Sequence, residues 1–445
     1  MPITSVGKQA IVVGAGIAGL TAAKALSGYF DKVIVLERDV LPVQPVNRVG
    51  TPQSPHIHLL LGGGCAALEQ LCPGFLEALL KAGAVPLRAG FDLRIERPGF
   101  DPFPQRDLGW MTYSSTRALL EFVLRGFVRR VENIVIHDAC RAVAVLTDDQ
   151  TGRVNGLRLI DANGVEKEMG VDLVVDASSR GVLTSDALKS LKLPMPDETE
   201  IGVDIMYATG IFKIPNPSPV AWKAVLHAST APDNGRGGLL VPIEENRWCI
   251  GLTGKHGEIP PLDIEGFAAY AKSFRTPTIY NAICSAELLG VVRRFGLPSS
   301  LRRHFEKLSV FPRGLLAIGD LVCRFNPGFG QGMSVAAQEA VILRDLLSLR
   351  LGKSDPLDGL AQSFFDAIQE CLAAPWGVAE SDFVFPQTRG ERPADFEKRM
   401  AYSGSVFKIA AGDPEVHKLF IKVQHLLAKA SELRAPELAA RVSAL

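Results

Sequence analysis

A glycine pattern near the start of the chain places the strongest constraint on the fold. The apolar run 10–13 leads into Gly-Ala-Gly-Ile-Ala-Gly at 14–19, which opens a stretch with helical periodicity. The next apolar run, 33–36, ends at Glu37. A GxGxxG motif between a strand and a helix, with an acid after the following strand, is typical of Rossmann-like nucleotide domains. The pattern therefore predicts an α/β fold that binds an adenine dinucleotide; the alternative is an ordinary turn without a ligand.

Each residue of this motif has a predicted role at the nucleotide. Gly14 allows the tight turn, and Gly16 lets the backbone approach a pyrophosphate. Gly19 allows the helix to pack closely against the strand, and Glu37 can accept hydrogen bonds from ribose hydroxyls. We therefore expect the adenosine half of the dinucleotide to bind at this turn.

A second glycine-rich turn lies far along the chain. The apolar run 315–318 ends at Gly319-Asp320, the glycines of 327–332 follow, and an apolar helix is predicted from 334 to 349. A strand end that leads through a carboxylate and glycines into a helix N-terminus is a ligand site in open α/β sheets. A simple NAD-binding domain does not need this second turn, whereas a flavin extends across the sheet to another strand end. The two turns together therefore predict FAD.

The second turn carries the predicted contacts of the flavin half. Asp320 is expected to hold the ribityl chain. The helix start at Gly330, Gly332 and Met333 is expected to face the N1–C2=O edge of the flavin, where negative charge develops on reduction. Taken alone, the stretch is also compatible with a ligand-free turn of an α/β protein.

Other donors are expected near the flavin. The loop after the first unit contains Arg48, His56 and His58, and Arg117 begins a predicted helix as a candidate contact for phosphate or ribose. Each histidine also fits a hydrogen-bonded structural role, and Arg117 also fits a surface position. The His-x-His pair suggests a metal, but no cysteine or carboxylate cluster accompanies it, so we predict no metal site.

The composition argues against several classes of protein. Lys and Arg together number 48, as do Asp and Glu, and no basic stripe is present, which argues against a nucleic-acid partner. No apolar run reaches the roughly 18 residues of a membrane-spanning helix. The seven cysteines are scattered without a Cys-x-x-Cys pair, which is typical of a reducing compartment rather than a disulfide scaffold. We therefore predict a cytoplasmic protein without an integral membrane segment.

The pattern of elements changes along the chain. Residues 191–307 contain strand-like runs separated by Pro, Gly and Asn, which predicts an antiparallel sheet over the substrate, and the proline-rich stretch 85–109 is expected to join it. From 353 onward the sequence is mostly helical, with a break expected at Pro375 and a last helix at 416–429. The predicted parts are an FAD-binding domain (1–84, 110–190 and 308–352), a substrate-binding β-sheet domain (85–109 and 191–307) and a C-terminal helical region (353–445).

Three anchors give the chain a resemblance to a known family. They are the first glycine motif with Glu37, the sequence Asp-Leu-Val-Val-Asp-Ala-Ser-Ser-Arg at 172–180, and the Gly-Asp stretch at 319–332. With these anchors the chain resembles the aromatic-hydroxylase (group A) FAD monooxygenases. The loop 48–64 and the segment 375–386 look like one branch of that superfamily, the flavin epoxidases and hydroxylases of polyketide and terpenoid biosynthesis.

The resemblance implies a fold, a cofactor and a chemistry. The fold is a glutathione-reductase-type, Rossmann-like FAD domain with an inserted antiparallel sheet and C-terminal helices. The cofactor carries the reaction: FAD is reduced by NADH or NADPH, or by a separate flavin reductase, and its C4a-hydroperoxide passes one oxygen atom of O2 to a sizeable hydrophobic substrate by epoxidation or hydroxylation. The residues implied in FAD binding are Gly14, Gly16, Ala18, Gly19, Glu37, Arg38, Arg48, Arg117, Val143, Asp320, Gly330, Gly332 and Met333.

The electron donor and the reaction retain alternatives. Residues 176–178 read Asp-Ala-Ser where the wider family has Asp-Gly, and because that motif is linked to nicotinamide use, the donor stays open. A flavin-dependent reductase or dehydrogenase of an isoprenoid-type substrate has the same fold, as does a flavoprotein used only for binding. A halogenase would carry Trp-x-Trp-x-Ile-Pro, which is absent from the sequence.

Overall fold

The computed structural model describes residues 5–148, 150–218 and 220–445, so the first four residues of the predicted FAD domain lie outside the described part. The strands within these ranges are β1 (Gly7–Val13), β2 (Phe30–Leu36), β3 (Leu59–Leu60), β4 (Val85–Arg88), β5 (Leu93–Glu96), β6 (Met111–Ser114), β7 (Ile134–His137), β8 (Arg141–Thr147), β9 (Val154–Ile160), β10 (Glu166–Gly170), β11 (Leu173–Asp176), β12 (Glu198–Lys213), β13 (Ala224–His227), β14 (Gly237–Ile243), β15 (Arg247–Gly254), β16 (Glu287–Leu288), β17 (Arg293–Arg303), β18 (Leu315–Ala317) and β19 (Cys323–Arg324).

The α-helices alternate with the strands in the first half and dominate the last part of the chain. They are α1 (Ile17–Leu26), α2 (Gly62–Leu71), α3 (Phe75–Lys81), α4 (Arg117–Arg129), α5 (Val182–Ser190), α6 (Ile264–Lys272), α7 (Thr278–Ser285), α8 (Gly332–Ser348), α9 (Leu360–Ala367), α10 (Gln369–Glu380), α11 (Phe396–Gly412), α12 (Pro414–Gln424) and α13 (Pro436–Ser443). Short 3-10 turns occur at Phe305–Lys307, Gly319–Leu321, Pro327–Phe329, Ser381–Val384 and Ala430–Arg434.

A five-stranded parallel sheet carries both predicted glycine turns. Its strand order is β18–β11–β1–β2–β7. Its strands are short and mostly buried, as expected where both faces of a parallel sheet are covered. Helices α1 and α8 pack against each other on one face, while α5 and the small sheet β10–β9–β8 cover the other. This arrangement confirms the predicted α/β class.

The second large sheet has eight strands. Its order is β19–β17–β12–β15–β14–β13–β5, with β16 beside β12, and all neighbours are antiparallel except β13 and β5. Helices α6 and α7 cover one face through an apolar cluster that includes Phe212, Trp248 and Phe267. The predicted antiparallel sheet is therefore confirmed. Strand β12 is irregular between Gly202 and Ile205.

The proline-rich stretch 85–109 contributes to two sheets. Strand β4 joins the small sheet β3–β6–β4, whereas β5 joins the edge of the eight-stranded sheet. The residues after β5 pack against the C-terminal helices, where the rings of Phe103 and Phe407 lie 4.2 Å apart. The C-terminal helices therefore contact the excursion between β5 and β6. The division of the chain into three domains stays a prediction.

Two expectations about the C-terminal helices were wrong. Pro375 does not break a helix but lies inside α10, next to Trp376, and both side chains are buried. Burial of this face keeps the helix continuous although proline supplies no N–H to it. The last helix is not at 416–429: α12 ends at Gln424, and α13 follows at Pro436–Ser443. Proline at the first position of α13 suits a helix start, which the amphipathic pattern alone did not reveal.

No helix in the described ranges combines the length and the apolar character that crossing a membrane requires.

Candidate cofactor and active site

The first glycine turn has the backbone geometry that its sequence predicts. Gly14 has φ +104°, and a Cβ atom on it would lie 2.9 Å from the carbonyl oxygen of Ala177 on the neighbouring strand end. A Cβ atom on Gly19 would lie 1.8 Å from the carbonyl oxygen of Gly14. Only glycine therefore fits these two positions, and α1 begins close to the end of β1.

The N-terminus of α1 is open toward a ligand. Gly16 is its N-cap, and no side chain of the described residues caps this helix. A Cβ atom on Gly16 would find Arg117 Nη2 at 3.8 Å and nothing else within 4 Å. Uncapped N–H groups at a helix start, with a cation opposite, suit a pyrophosphate.

Glu37 is buried at the end of β2. Its carboxylate accepts the N–H of Ala15 at 2.8 Å and the N–H of Asp39 at 3.1 Å. It also lies 3.2 Å from the guanidinium of Arg48. The acid therefore holds the glycine turn and lies beside it, in the position expected for a ribose acceptor.

Arg48 belongs to a buried charge cluster that the sequence did not predict. Its Nε donates to Glu121 at 2.8 Å, and its Nη1 lies 2.8 Å from Asp39. Glu121 also lies 3.4 Å from Arg117, one turn earlier on α4. The acid thus links Arg48 to Arg117. The i,i+4 spacing of Arg117 and Glu121 was the available signal for this link.

The second glycine turn lies directly against the first. A Cβ atom on Gly319 would lie 2.8 Å from the Cβ of Ala18 in α1. Asp320 follows at the end of β18, half-buried, and its Oδ1 lies 3.8 Å from where a Cβ of Gly332 would be. Gly330 has φ +68° and closes the turn before α8, whose start is not capped by a side chain in the described part of the chain. Met333 is buried in the first turn of that helix.

Arg117 faces both turns. Burial raises the pKa of Asp320, and the positive charges of Arg117 and Arg324 partly offset that rise, so Arg117 acts on Asp320 as well as on the space over Gly16. The Nε of Arg117 is buried without a hydrogen-bond partner among the described residues. A buried, unpaired guanidinium donor is costly unless a ligand accepts from it. The residues therefore fit an anionic dinucleotide that extends from one turn to the other.

Glu339 is a second buried acid that the sequence analysis missed. It lies on α8, is fully buried, and accepts the N–H of Gly319 at 2.8 Å. Burial raises its pKa from 4.5 to about 8, and the nearby Asp320 adds to the rise. Glu339 therefore fixes the strand end that carries Asp320. The sequence signal was an acid within residues 332–343 of α8, which are otherwise uncharged.

The first candidate histidine, His56, packs against the second sheet. His56 Nδ1 is 2.8 Å from Thr209 Oγ1 on β12, and its ring lies 5.7 Å from that of Phe295 and 6.0 Å from that of Tyr207. Burial, with a smaller contribution from Arg293, lowers the pKa of His56 to about 4. His56 is therefore neutral near pH 7 and bordered by aromatic rings.

His58 lies nearer to the nucleotide side. Its Nδ1 is 2.9 Å from the carbonyl oxygen of His56. Burial lowers the pKa of His58 to about 3, with Arg117 as the next cause. The segment between the two histidines therefore connects the arginine of the glycine turns with the face of the second sheet.

Two further predicted FAD contacts have exposed side chains. Arg38 is exposed at the surface after Glu37, and Val143 lies in β8 with an exposed side chain. Their roles stay predictions. Asp176, the acid at a third strand end, accepts from Ser178 N, Thr184 N and Thr184 Oγ1, at 3.0, 3.1 and 2.7 Å, and so caps the start of α5.

Solved structures show the same fold. The probable FAD-dependent monooxygenase PqsL from Pseudomonas aeruginosa aligns with a TM-score of 0.63 at 18% identity, over 85% of this chain and 98% of PqsL. The flavin-dependent brominase Bmp2 aligns with a TM-score of 0.68 at 14% identity, over 98% of both chains. The fold of the molecule is therefore that of flavin-dependent monooxygenases and halogenases.

Sequence comparison adds two relatives. Squalene epoxidase 2, mitochondrial, from Arabidopsis thaliana is 24% identical over 81% of this chain and 57% of that protein. Protein Rv3254 from Mycobacterium tuberculosis (strain ATCC 25618 / H37Rv) is 32% identical over 77% of this chain and 73% of that protein. No protein-family model matches the sequence. The chain belongs to the family of Protein Rv3254 and has the fold of the solved FAD-dependent monooxygenases.

Proposed function

We propose that this protein is an FAD-dependent monooxygenase that transfers one oxygen atom from O2 to a sizeable hydrophobic metabolite. The observation that carries the proposal is the pair of adjoining glycine turns with the guanidinium of Arg117 beside both: its Nη2 lies 3.8 Å from where a Cβ of Gly16 would be, and its charge acts on Asp320. An anionic cofactor long enough to reach both turns uses that guanidinium and both uncapped helix starts. NADH or NADPH is the proposed electron donor.

The proposed roles at the nucleotide end follow from charge and geometry. Gly16 leaves space for the pyrophosphate, Arg117 neutralises it, and Glu37 accepts from the ribose. At the other end, Asp320 accepts from the ribityl hydroxyls, and the start of α8 directs its N–H groups at the redox ring. Bound FAD would supply the oxygen-activating redox chemistry, which no side chain of this site can supply.

The proposed substrate side is the face of β12 and β17 near His56. Tyr207 and Phe295 give this face apolar area, and burial raises the pKa of the Tyr207 hydroxyl, so that side chain stays neutral. His56 pairs with Thr209 and also carries no charge near pH 7. A neutral, aromatic surface favours an apolar substrate and excludes water from the reacting atoms. The named substrate of the epoxidase relative, squalene, is a hydrocarbon of this class.

The proposal is tested by isotope transfer. The FAD-loaded protein is incubated with NADPH or NADH, ¹⁸O2, and squalene together with a panel of polyprenyl and aromatic polyketide compounds. We expect one ¹⁸O atom in a product from the panel, with consumption of reduced nicotinamide. A product that gains two hydrogens and no oxygen would instead identify a reductase, and a protein that binds no FAD would refute both functions.

A further inference from the structure

One short segment of the C-terminal region contacts the second glycine turn. We call residues 381–390 the C-terminal strap. Arg389 exchanges two backbone hydrogen bonds with Gly202 on β12, at 2.8 and 3.1 Å, and its guanidinium pairs with Asp204. Thr388 Oγ1 donates to the carbonyl oxygen of Asp382 at 2.6 Å. The strap is thus fixed on the irregular part of β12, and its own bonds hold Asp382.

Asp382 is the strap residue that reaches the turn. Its side chain is buried, with Oδ1 at 2.5 Å from Lys255 Nζ and Oδ2 accepting from Asn326 Nδ2 at 2.9 Å. Asn326 immediately precedes the 3-10 turn Pro327–Phe329. Three distant segments therefore meet at one buried carboxylate: the end of β15, the glycine turn and the strap.

The contact with Asp382 fixes the orientation of the Asn326 amide. A carboxylate only accepts, so the NH2 group of Asn326 must face Asp382, and its Oδ1 must face the turn. There Oδ1 accepts the N–H of Gly328 at 2.9 Å and the hydroxyl of Tyr207 at 3.4 Å. The backbone N–H of Asn326 donates to Ser300 Oγ at 2.9 Å. The amide nitrogen thus has one partner and the amide oxygen has two, and the capped turn leads directly to α8.

We infer that Asp382 is a positioning residue that, through Asn326, holds the turn 327–330 and the start of α8 in place against the redox ring of FAD. The presence of that ring rests on the proposed function. The C-terminal helical region thereby has a role, because it carries Asp382, the acceptor that fixes the turn 327–330 at the reacting end of the cofactor. Asp382 acts on the flavin only through the turn.

A series of Asp382 variants made in the Lys255→Met protein tests whether the acceptor at position 382 matters. Lys255→Met removes the charge that would otherwise lose its partner but keeps Asp382. In that background, Asp382→Asn keeps an oxygen that can accept from Asn326, whereas Asp382→Leu has a similar size and offers none. Arg389→Gln is the matched control, because it removes an exposed ion pair of the same strap without touching Asn326.

Two readouts test the positioning role. The first is the visible spectrum, midpoint potential and dissociation constant of bound FAD. The second is hydrogen exchange of the Gly328 and Gly330 amides in the apoprotein. We expect wild-type values for Arg389→Gln, and values for Lys255→Met/Asp382→Asn that match those of Lys255→Met. Relative to Lys255→Met, Lys255→Met/Asp382→Leu should show a shifted spectrum, a lower potential, faster exchange and a dissociation constant raised about tenfold.

Each outcome decides the inference. Flavin properties and amide protection in Lys255→Met/Asp382→Leu that equal those of Lys255→Met would overturn it. If that variant does not fold, Asn326→Leu removes the same bond from the other side and must give the same shifts. If the wild-type protein binds no FAD, the proposed function fails and the inferred contact with the redox ring fails with it. Amide exchange would still show separately whether Asp382 holds the turn.

Discussion

The two ends of the candidate site differ in how they use charge. At the first glycine turn, four charged side chains lie side by side with little contact with solvent: Glu37, Arg48, Glu121 and Arg117. They form a connected chain of ion pairs, and the last of them, Arg117, has its Nη2 3.8 Å from where a Cβ of Gly16 would be. In the proposed function, this guanidinium and the start of α1 hold the pyrophosphate at this end.

The face of the second sheet uses neutral groups instead. His56, whose pKa is lowered to about 4 by burial, pairs with the hydroxyl of Thr209 and lies beside two aromatic rings. In the proposed function, binding of the nucleotide and handling of the substrate are therefore separated within one site. Substitutions at the charged end should therefore change FAD affinity, and substitutions at the neutral end should leave it unchanged.

The largest effect is expected from Gly16→Val. The branched side chain would fill the space between α1 and Arg117 that the pyrophosphate needs, while the extended backbone of Gly16 accepts valine without strain. We expect loss of measurable FAD binding by fluorescence titration, with an unchanged circular dichroism spectrum of the apoprotein.

Substitutions at two other glycines serve as comparisons for Gly16→Val. Gly126→Val is the control, because a Cβ atom there meets nothing within 4 Å, and it should bind FAD normally. Gly19→Val should not fold, since its Cβ would overlap the Gly14 carbonyl. Full flavin loading of Gly16→Val would remove the dinucleotide assignment.

The second prediction concerns Glu121→Gln. Loss of this carboxylate leaves Arg48 and Arg117 buried without their shared partner, which should lower the free energy of unfolding by about 3–5 kcal/mol and weaken FAD binding. Denaturant titration and FAD titration measure the two effects. Glu77→Gln removes an exposed ion pair with Lys81 on α3 and serves as control, with no measurable change in either. Equal behaviour of both variants would contradict a role for the charge cluster.

The third prediction uses pH to separate the second glycine turn, which Glu339 holds, from the neutral face at His56. The folded-state pKa of Glu339 is raised to about 8, so the folded protein favours its neutral form, and stability is lost as pH rises from 4.5 toward 8. Glu339→Gln should remove this part of the pH dependence of the free energy of unfolding, which is on the order of a few kcal/mol. The folded-state pKa of His56 is lowered to about 4, so the stability that its neutral form contributes is lost as pH falls from 6.5 toward 4. His56→Gln should therefore reduce the pH dependence of the free energy of unfolding only on the acid side of pH 6.5.

Thermal unfolding of the apoprotein between pH 4 and pH 9 checks both slopes. The prediction is contradicted if Glu339→Gln changes the stability only at acid pH, or if His56→Gln changes the stability at alkaline pH. Each variant serves as the control for the other.

The smallest effect on FAD is expected from Thr209→Val. The substitution removes the partner of His56 Nδ1 at the neutral end, which should lower the free energy of unfolding by about 1–2 kcal/mol. FAD affinity should stay within about twofold of the wild-type value, because no charge is moved. A large loss of FAD affinity in this variant would show that the two ends are not separate.

The sequence predicted those parts of the site that are contiguous in the chain. The motif at 14–19 and the stretch 319–332 each contain strand end, turn and helix start, so spacing alone indicates their geometry. Asp320→Asn would test the second of them, with weaker FAD binding expected.

The parts that were missed come from side chains that meet only in the folded protein. Glu121, Glu339 and Asp382 each hold a residue of another segment, and nothing in their own neighbourhood indicates that partner. The break expected at Pro375 was wrong for a related reason, because burial of Trp376 outweighs the low helix propensity of proline. Tertiary contacts therefore account for most of the difference between expectation and structure.

Hydrogen exchange with two matched ligands tests most directly whether the two glycine turns hold one molecule. ADP carries the adenosine and pyrophosphate alone, whereas FAD adds the ribityl chain and the redox ring. We expect ADP to protect only the amides of 14–19 and FAD to protect those and the amides of 328–333. Protection by FAD that is confined to the first turn would contradict the account.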